Sequence, residues 1–120
     1  MPDKDEHLAQ AQHNRNFWSS FDINTSVFLD WVATGIFYEG VHWVEAYFAK
    51  TKFHSVDHGK RMLQMRHDLI LRPISNDLEQ LKFDSENARY QCYKYSKQDI
   101  NKDLIPKVNQ IKSHIQSVID

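Results

Sequence analysis

The sequence predicts an all-α fold. It reads as one domain, residues 1–120, built as an antiparallel, up-and-down bundle of four to five helices. Three observations carry this. Only three glycines and three prolines punctuate the chain, too few for the tight turns of an all-β domain. No sustained alternation of apolar and polar residues marks a strand. Ile100, Leu104, Val108, Ile111, Ile115 and Val118 recur at helical spacing and form one apolar stripe.

The first helix runs from Lys4 to Ser20, with Leu8, Gln12 and Arg15 on one face. Phe21 to Ser26 is a connection, and Thr25 or Ser26 is placed to cap the second helix. That helix, Val27–Ala49, is apolar around almost its whole circumference, with Phe28, Trp31, Ile36, Val41, Trp43 and Phe48 on different sides. Such a helix is buried on several sides, by its own chain, by a second copy, or by both. A homodimer is therefore expected. Asp57 caps a short third helix through Arg66, and Pro73 suits the first turn of a fourth that ends near Tyr90. Ser96 and Asp99 form a capping pair for the last helix, in which Pro106 is expected to make a kink.

The apolar run at Val27–Ala49 is long enough to cross a bilayer, but Asp30, Glu39, His42 and Glu45 lie inside it. Each acid near a bilayer centre costs on the order of 3 kcal/mol, so no membrane span is expected. The N-terminal residues are charged and unlike a signal peptide. A single cysteine, Cys92, excludes an internal disulfide and reads as a buried thiol. These features predict a cytoplasmic protein. The net charge of −1 leaves a polyanion-binding surface to local patches.

Several side chains stand out. His54 and His58 lie four apart, and Glu39 and His42 three apart, spacings that metal sites use. A di-iron bundle needs a second Glu-x-x-His pair, which the chain lacks, so no metal and no cofactor are expected. His42 is read instead as donating to a buried carbonyl or carboxylate. Glu39 and Glu45 need cationic partners inside an apolar helix, and Arg61 and Arg89 are the candidates. Lys50, Lys52, Lys60, Arg61 and Arg66 make the middle third basic, with Phe53 among them. Charge interleaved with rings suits nucleic acid. Tyr90, Tyr93 and Tyr95 are read as packing the bundle end or a dimer seam.

The run Asp30–Phe48 resembles the second helix of HEPN-domain proteins, an apolar helix carrying a tyrosine, a histidine and an alanine-rich turn. The segment His54–Arg61 is similar to the stretch after that helix in one prokaryotic HEPN branch. Ser85-Glu86-Asn87-Ala88-Arg89-Tyr90 resembles its Ser-x-x-Ala-Arg-Tyr block, and Leu8–Asn14 its first helix. The blocks fall in the family's order along most of the chain.

The resemblance implies a bundle that dimerises beside a shared groove. Many HEPN proteins are metal-independent endoribonucleases, while others bind RNA or a partner protein, and some are toxins paired with an antitoxin. Active members carry an arginine and, a few residues later, a histidine. Arg61 and His67, separated by five residues (Met62 to Arg66), match that pattern. In that role His67 would move a proton at a ribose 2′-hydroxyl or leaving oxygen, and Arg61 would hold the phosphate. The family motif normally lies later, near Arg89, where Lys94, Tyr95 and Ser96 occupy the histidine's place. The resulting expectation is an RNA- or nucleotide-binding protein, with an endoribonuclease or toxin component as its active form. Lys60, Arg61, Arg66 and Arg89 are the phosphate-binding candidates; Glu39, His42, Glu45, His54, His58 and Tyr90 are candidates for the polar groove. The alternative is a non-catalytic module that binds a partner such as an antitoxin or nucleotidyltransferase.

Overall fold

The computed structural model describes residues 1–120 and contains helices and connecting turns only. In chain order they are α1 (Lys4–Ser19), α2 (Leu29–Lys50), α3 (His58–His67), α4 (Arg72–Tyr90), a π-helical turn (Asp99–Leu104) and α5 (Ile105–Val118). The molecule measures 41 × 23 × 23 Å. No helix is long and apolar enough to cross a membrane.

Helix α2 is the axis of the fold, with α1, α4 and α5 packed around it and α3 laid against α4. Its Val32, Ile36, Val44 and Phe48 join Leu78 and Leu81 of α4 and Val108, Ile111 and Ile115 of α5 in one continuous core. Two glycines set how closely its neighbours approach. A Cβ on Gly40 would meet Leu78 at 3.2 Å and Ile111 at 3.5 Å, and one on Gly35 would meet the Trp18 Cβ at 3.0 Å. Hydrogen in place of a methyl lets α4, α5 and α1 lie directly on the α2 backbone.

The caps show why the elements begin and end where they do. Asp3 accepts from the Glu6 amide at 2.8 Å and Glu6 accepts from the Asp3 amide at 3.1 Å, a reciprocal box that starts α1. Asp57 accepts from the Lys60 amide at 2.8 Å and starts α3, as its position in the sequence predicts. Helix α2 differs from expectation. It begins at Leu29 rather than Val27, with no side-chain cap, because Ser26 Oγ accepts from the Phe28 amide and closes the preceding turn instead. Its C-terminus closes with Lys52 at φ 63° and the Phe53 amide donating to the Phe48 carbonyl at 2.9 Å. The Phe53 ring then packs edge-on against Phe48, which completes a Schellman motif with lysine in the position glycine prefers.

At Pro106, where a kink is expected, the structure has a π-helical turn leading into α5. Proline lacks an amide proton, and its ring crowds the carbonyl one turn earlier. The chain widens upstream, so that the Ile105 amide donates to the Ile100 carbonyl, five residues back. The predicted Ser96–Asp99 cap is present: the Ser96 amide donates to Asp99 at 2.9 Å, and the Asp99 amide to Ser96 Oγ at 3.1 Å. Cys92 is exposed, not buried. It sits past the end of α4 at φ 55°, outside the reach of the core.

Candidate functional site

Helix α2 carries two carboxylates inward, and each organises a cluster. Glu39 has no exposed surface. Its Oε1 accepts from Trp18 Nε1 at 2.7 Å; its Oε2 accepts from Trp43 Nε1 at 2.8 Å and from Arg15 Nε at 3.0 Å. Arg15 reaches on to Asn109 of α5 at 2.8 Å. Charge-assisted bonds on both oxygens are what make a buried carboxylate tolerable. The cationic partner is therefore Arg15 of α1, not Arg61 or Arg89. Ala11, Arg15 and Trp18 recur along the inward face of α1 together with His7. That 7-11-15-18 spacing is present in the sequence as a second face beside the one containing Leu8.

Glu45, one and a half turns further along α2, does take the expected partner. Arg61 Nε donates to its Oε1 at 2.8 Å, and Ser55 Oγ bonds the same oxygen. The Arg61 guanidinium also donates to His58 Nδ1 at 3.0 Å. The other nitrogen of His58 faces Glu79 of α4 at 3.4 Å. Burial, aided by Arg61 and Lys82, lowers the His58 pKa against the pull of Glu79. The chain Ser55–Glu45–Arg61–His58–Glu79 thus ties α2, α3 and α4 together.

Beside it, His42 meets a histidine of α1. The Nδ1 atoms of His7 and His42 lie 3.0 Å apart. One ring donates its single Nδ1 proton and the other accepts, so His42 bonds an imidazole in place of the expected carbonyl or carboxylate. Burial pushes the His42 pKa down to about 4, with His7 and Arg61 adding to the effect and Glu45 opposing it. The His7 pKa is lowered too, chiefly by burial and also by His54, against Glu45, Glu6 and Asp3. Both rings are neutral bases near neutral pH.

The structure thus brings His42, Glu45, His58 and Arg61 of the candidate groove residues into one region and adds His7 and Ser55. Glu39 belongs to the separate tryptophan cluster. His54 is exposed in the turn before α3, whereas His58 is the first residue of that helix, so the two do not share a helical face. No group of three or more His, Cys, Asp or Glu side chains is placed to hold a metal ion. Within one chain Arg61 and His67 do not converge: Arg61 turns to Glu45 and His58, and His67 is exposed at the last position of α3. Lys60 is exposed. Arg66 lies 3.9 Å from Glu79.

Arg89 donates to the Tyr38 hydroxyl at 2.8 Å, and its guanidinium lies over the Tyr38 and Tyr90 rings at 5.5 and 5.2 Å. Its Nε is buried with no partner. Arg72 donates to the Arg66 carbonyl at 3.0 Å. Arg15 and Arg61 are therefore bound to buried carboxylates, while Arg66, half exposed and 3.9 Å from Glu79, stays with the lysines on the basic surface of the middle third.

Comparison with known protein families, with curated proteins and with solved structures gives no match to this chain.

One face remains without cover. Along α2, Trp31 and Tyr38 sit two turns apart and are 51% and 41% exposed; Phe28 before them and Phe17 of α1 are 54% and 46% exposed. Phe17, Trp31 and Tyr38 line one shallow groove between α1 and α2 together with Gln10, Asn14, Thr34 and His42; Phe28 is not part of its lining. The apolar circumference of α2, which predicts burial on all sides, is thus covered by its own chain except along this stripe.

Proposed function

We propose that the protein is a non-catalytic helical interaction module that pairs with a second copy of itself through the aromatic groove of α1 and α2. The observation that carries this is the exposure of Phe17, Trp31 and Tyr38 along one groove. Three large rings, each about half exposed, present on the order of 300 Å² of apolar surface. That is the size of the largest patch on an ordinary monomer, about 300–600 Å² and often functional, and somewhat under half of one side of a standard interface of about 800 Å². The groove contains no Asp, Glu, Lys or Arg. A two-fold contact brings a patch against its own copy, so a charged groove would repel itself and this one does not. Pairing of this kind also agrees with the HEPN-like resemblance.

A second reading, RNA or nucleotide binding, draws on Arg89, whose guanidinium lies over Tyr38 and Tyr90 with its Nε unpartnered. Rings and a cation at that spacing suit a base and a phosphate. It is the weaker reading because Arg15 and Arg61 are bound to carboxylates of α2 and Arg89 itself already donates to the Tyr38 hydroxyl.

Analytical ultracentrifugation between 1 and 100 µM (on the order of ordinary dimer affinities) separates the two. A wild-type dimer that becomes monomeric with Trp31→Glu is the expected result. A monomer throughout, with a salt-sensitive shift of single-stranded RNA lost in Arg89→Ala, would replace the first reading with the second. A one-to-one complex with another protein, such as an antitoxin, would assign the groove to that partner instead.

A further inference from the structure

We infer that the end of the bundle around the α3–α4 turn is a docking surface for an anionic lipid bilayer, with Leu69 and Ile70 entering the headgroup layer and the basic side chains beside them facing lipid phosphates. The protein lies on such a bilayer and does not cross it. The surface shares no residue with the groove of α1 and α2, so it stands whether or not two copies of the chain pair.

The turn is built to hold apolar side chains outward. Asp68 Oδ1 accepts from the Ile70 amide at 2.8 Å and from the Leu71 amide at 3.3 Å, and the Asp68 carbonyl accepts from the Arg72 amide at 2.8 Å. Leu71 is fully buried and pins the turn to the core, which leaves Leu69 and Ile70 76% and 42% exposed. Polar residues ordinarily occupy such a tip. His114 Nε2 of α5 donates to the Ile70 carbonyl, so that a polar backbone group at the tip is already satisfied before it meets lipid. Leu63, exposed on α3 one turn before Arg66, adds apolar surface next to the turn.

The charge around the turn is largely of one sign. Between residues 50 and 72 the chain carries six lysines and arginines and two acids, Asp57 and Asp68. Both acids accept from backbone amides, at the start of α3 and in the turn itself. Arg61 is bound to Glu45, and Arg66 forms only a long, half-exposed pair with Glu79 at 3.9 Å. Lys60 and Arg72 are exposed. Arg72 Nε donates to the Arg66 carbonyl at 3.0 Å, which sets the α4 arginine against the last turn of α3 and leaves its terminal nitrogens open.

The apolar members decide between a bilayer and a nucleic acid, the two polyanions such charge suits. Leucine and isoleucine have no ring face on which a base stacks. They do partition into the boundary between headgroups and acyl chains, where basic side chains add attraction to anionic lipid.

Full-length protein is sedimented with vesicles of phosphatidylcholine alone and with vesicles containing about a third phosphatidylglycerol, at low salt and at about 0.5 M salt. Binding to the anionic vesicles at low salt, weaker at high salt and absent from phosphatidylcholine alone, is the expected result. Leu69→Asp weakens it by at least about tenfold, and Lys60→Gln and Arg66→Gln each by about fivefold. All three positions are exposed, so circular dichroism of the variants should match the unaltered protein. Val27→Asp replaces another exposed apolar residue, beside Arg89 at the other end of α4, and leaves binding unchanged. Protein left in the supernatant with both vesicles, equal binding to both, or full binding by Leu69→Asp would overturn the proposal. A shift of single-stranded RNA that the Lys60 and Arg66 variants weaken, without vesicle binding, would overturn it too and assign the surface to nucleic acid.

Discussion

Replacing Glu39 with glutamine tests the central packing argument. The substitution keeps the volume and removes one oxygen and the charge. Whichever way the new amide turns, its NH₂ faces a donor. Placed at the Oε2 position it opposes both Arg15 and Trp43; placed at Oε1 it opposes Trp18 alone. The second orientation is therefore preferred, and it loses one short bond, leaves the Trp18 Nε1 proton unsatisfied in the core, and removes the counter-charge of Arg15. A hydrogen bond to a charged group is worth about 1.5–3 kcal/mol and an orphaned buried donor costs about 1–3 kcal/mol. Breaking one side of a buried ion pair falls in the same range, about 3–5 kcal/mol. We expect a loss of about 3–5 kcal/mol, a large part of the stability of a domain this size. Urea denaturation monitored by tryptophan fluorescence measures it, and Trp18 and Trp43 report directly because both bond the altered group. A loss below about 1 kcal/mol would refute the reasoning. It would mean that the cluster relaxes or admits water, and that Glu39 does not hold α1 to α2.

The same geometry sets three other outcomes. His7, His42 and His58 have lowered pKa values, so the unfolded chain binds more protons than the folded one below the ordinary histidine value. Stability should then fall as pH drops below 6.5, with the His42 contribution levelling near 4. Urea curves at pH 7 and 5 should differ by about 1–2 kcal/mol after discounting for solvent screening, and equal stability at both pH values would contradict this. Gly35→Ala gains about 1 kcal/mol of helix propensity, but its methyl meets a Trp18 Cβ that cannot retreat while the indole is bound to Glu39. A net loss of about 1 kcal/mol or more in thermal unfolding is expected. Lys52→Gly, at a left-handed position, should stabilise by about 0.5–1 kcal/mol in the same assay.

Much of the fold is legible in the sequence because the signals are local. The Asp57 cap, the Ser96–Asp99 cap and the apolar stripe of α5 each depend on residues a few positions apart, and all three appear in the structure. The start of α2 is not legible in the same way, because Ser26, a good cap by type, closes the turn before the helix instead. Residue type alone places Cys92 inside, and a left-handed turn puts it outside. The candidate site is legible only in part. The pairing of Glu45 with Arg61 follows from the need to neutralise an acid in an apolar helix. That Arg15, rather than Arg61 or Arg89, reaches Glu39 does not follow, since any arginine brought to that depth would satisfy the same need. His7 carries no sequence signal for a similar reason: its value lies in facing His42, which is 35 positions away.

The order of residues by itself determined that this chain is helical, where most helices begin and end, and that α2 is buried on several sides. Those outcomes depend on backbone propensity, capping and periodicity, which act over one or two turns. Tertiary structure alone decided which arginine meets which acid, that two histidines share a proton, and that Trp31 and Tyr38 stay open while the rest of α2 is covered. These depend on which helix lies against which, and at what distance. Partner choice in a low-dielectric interior changes sharply over a single ångström, and no rule of sequence spacing carries that information between helices.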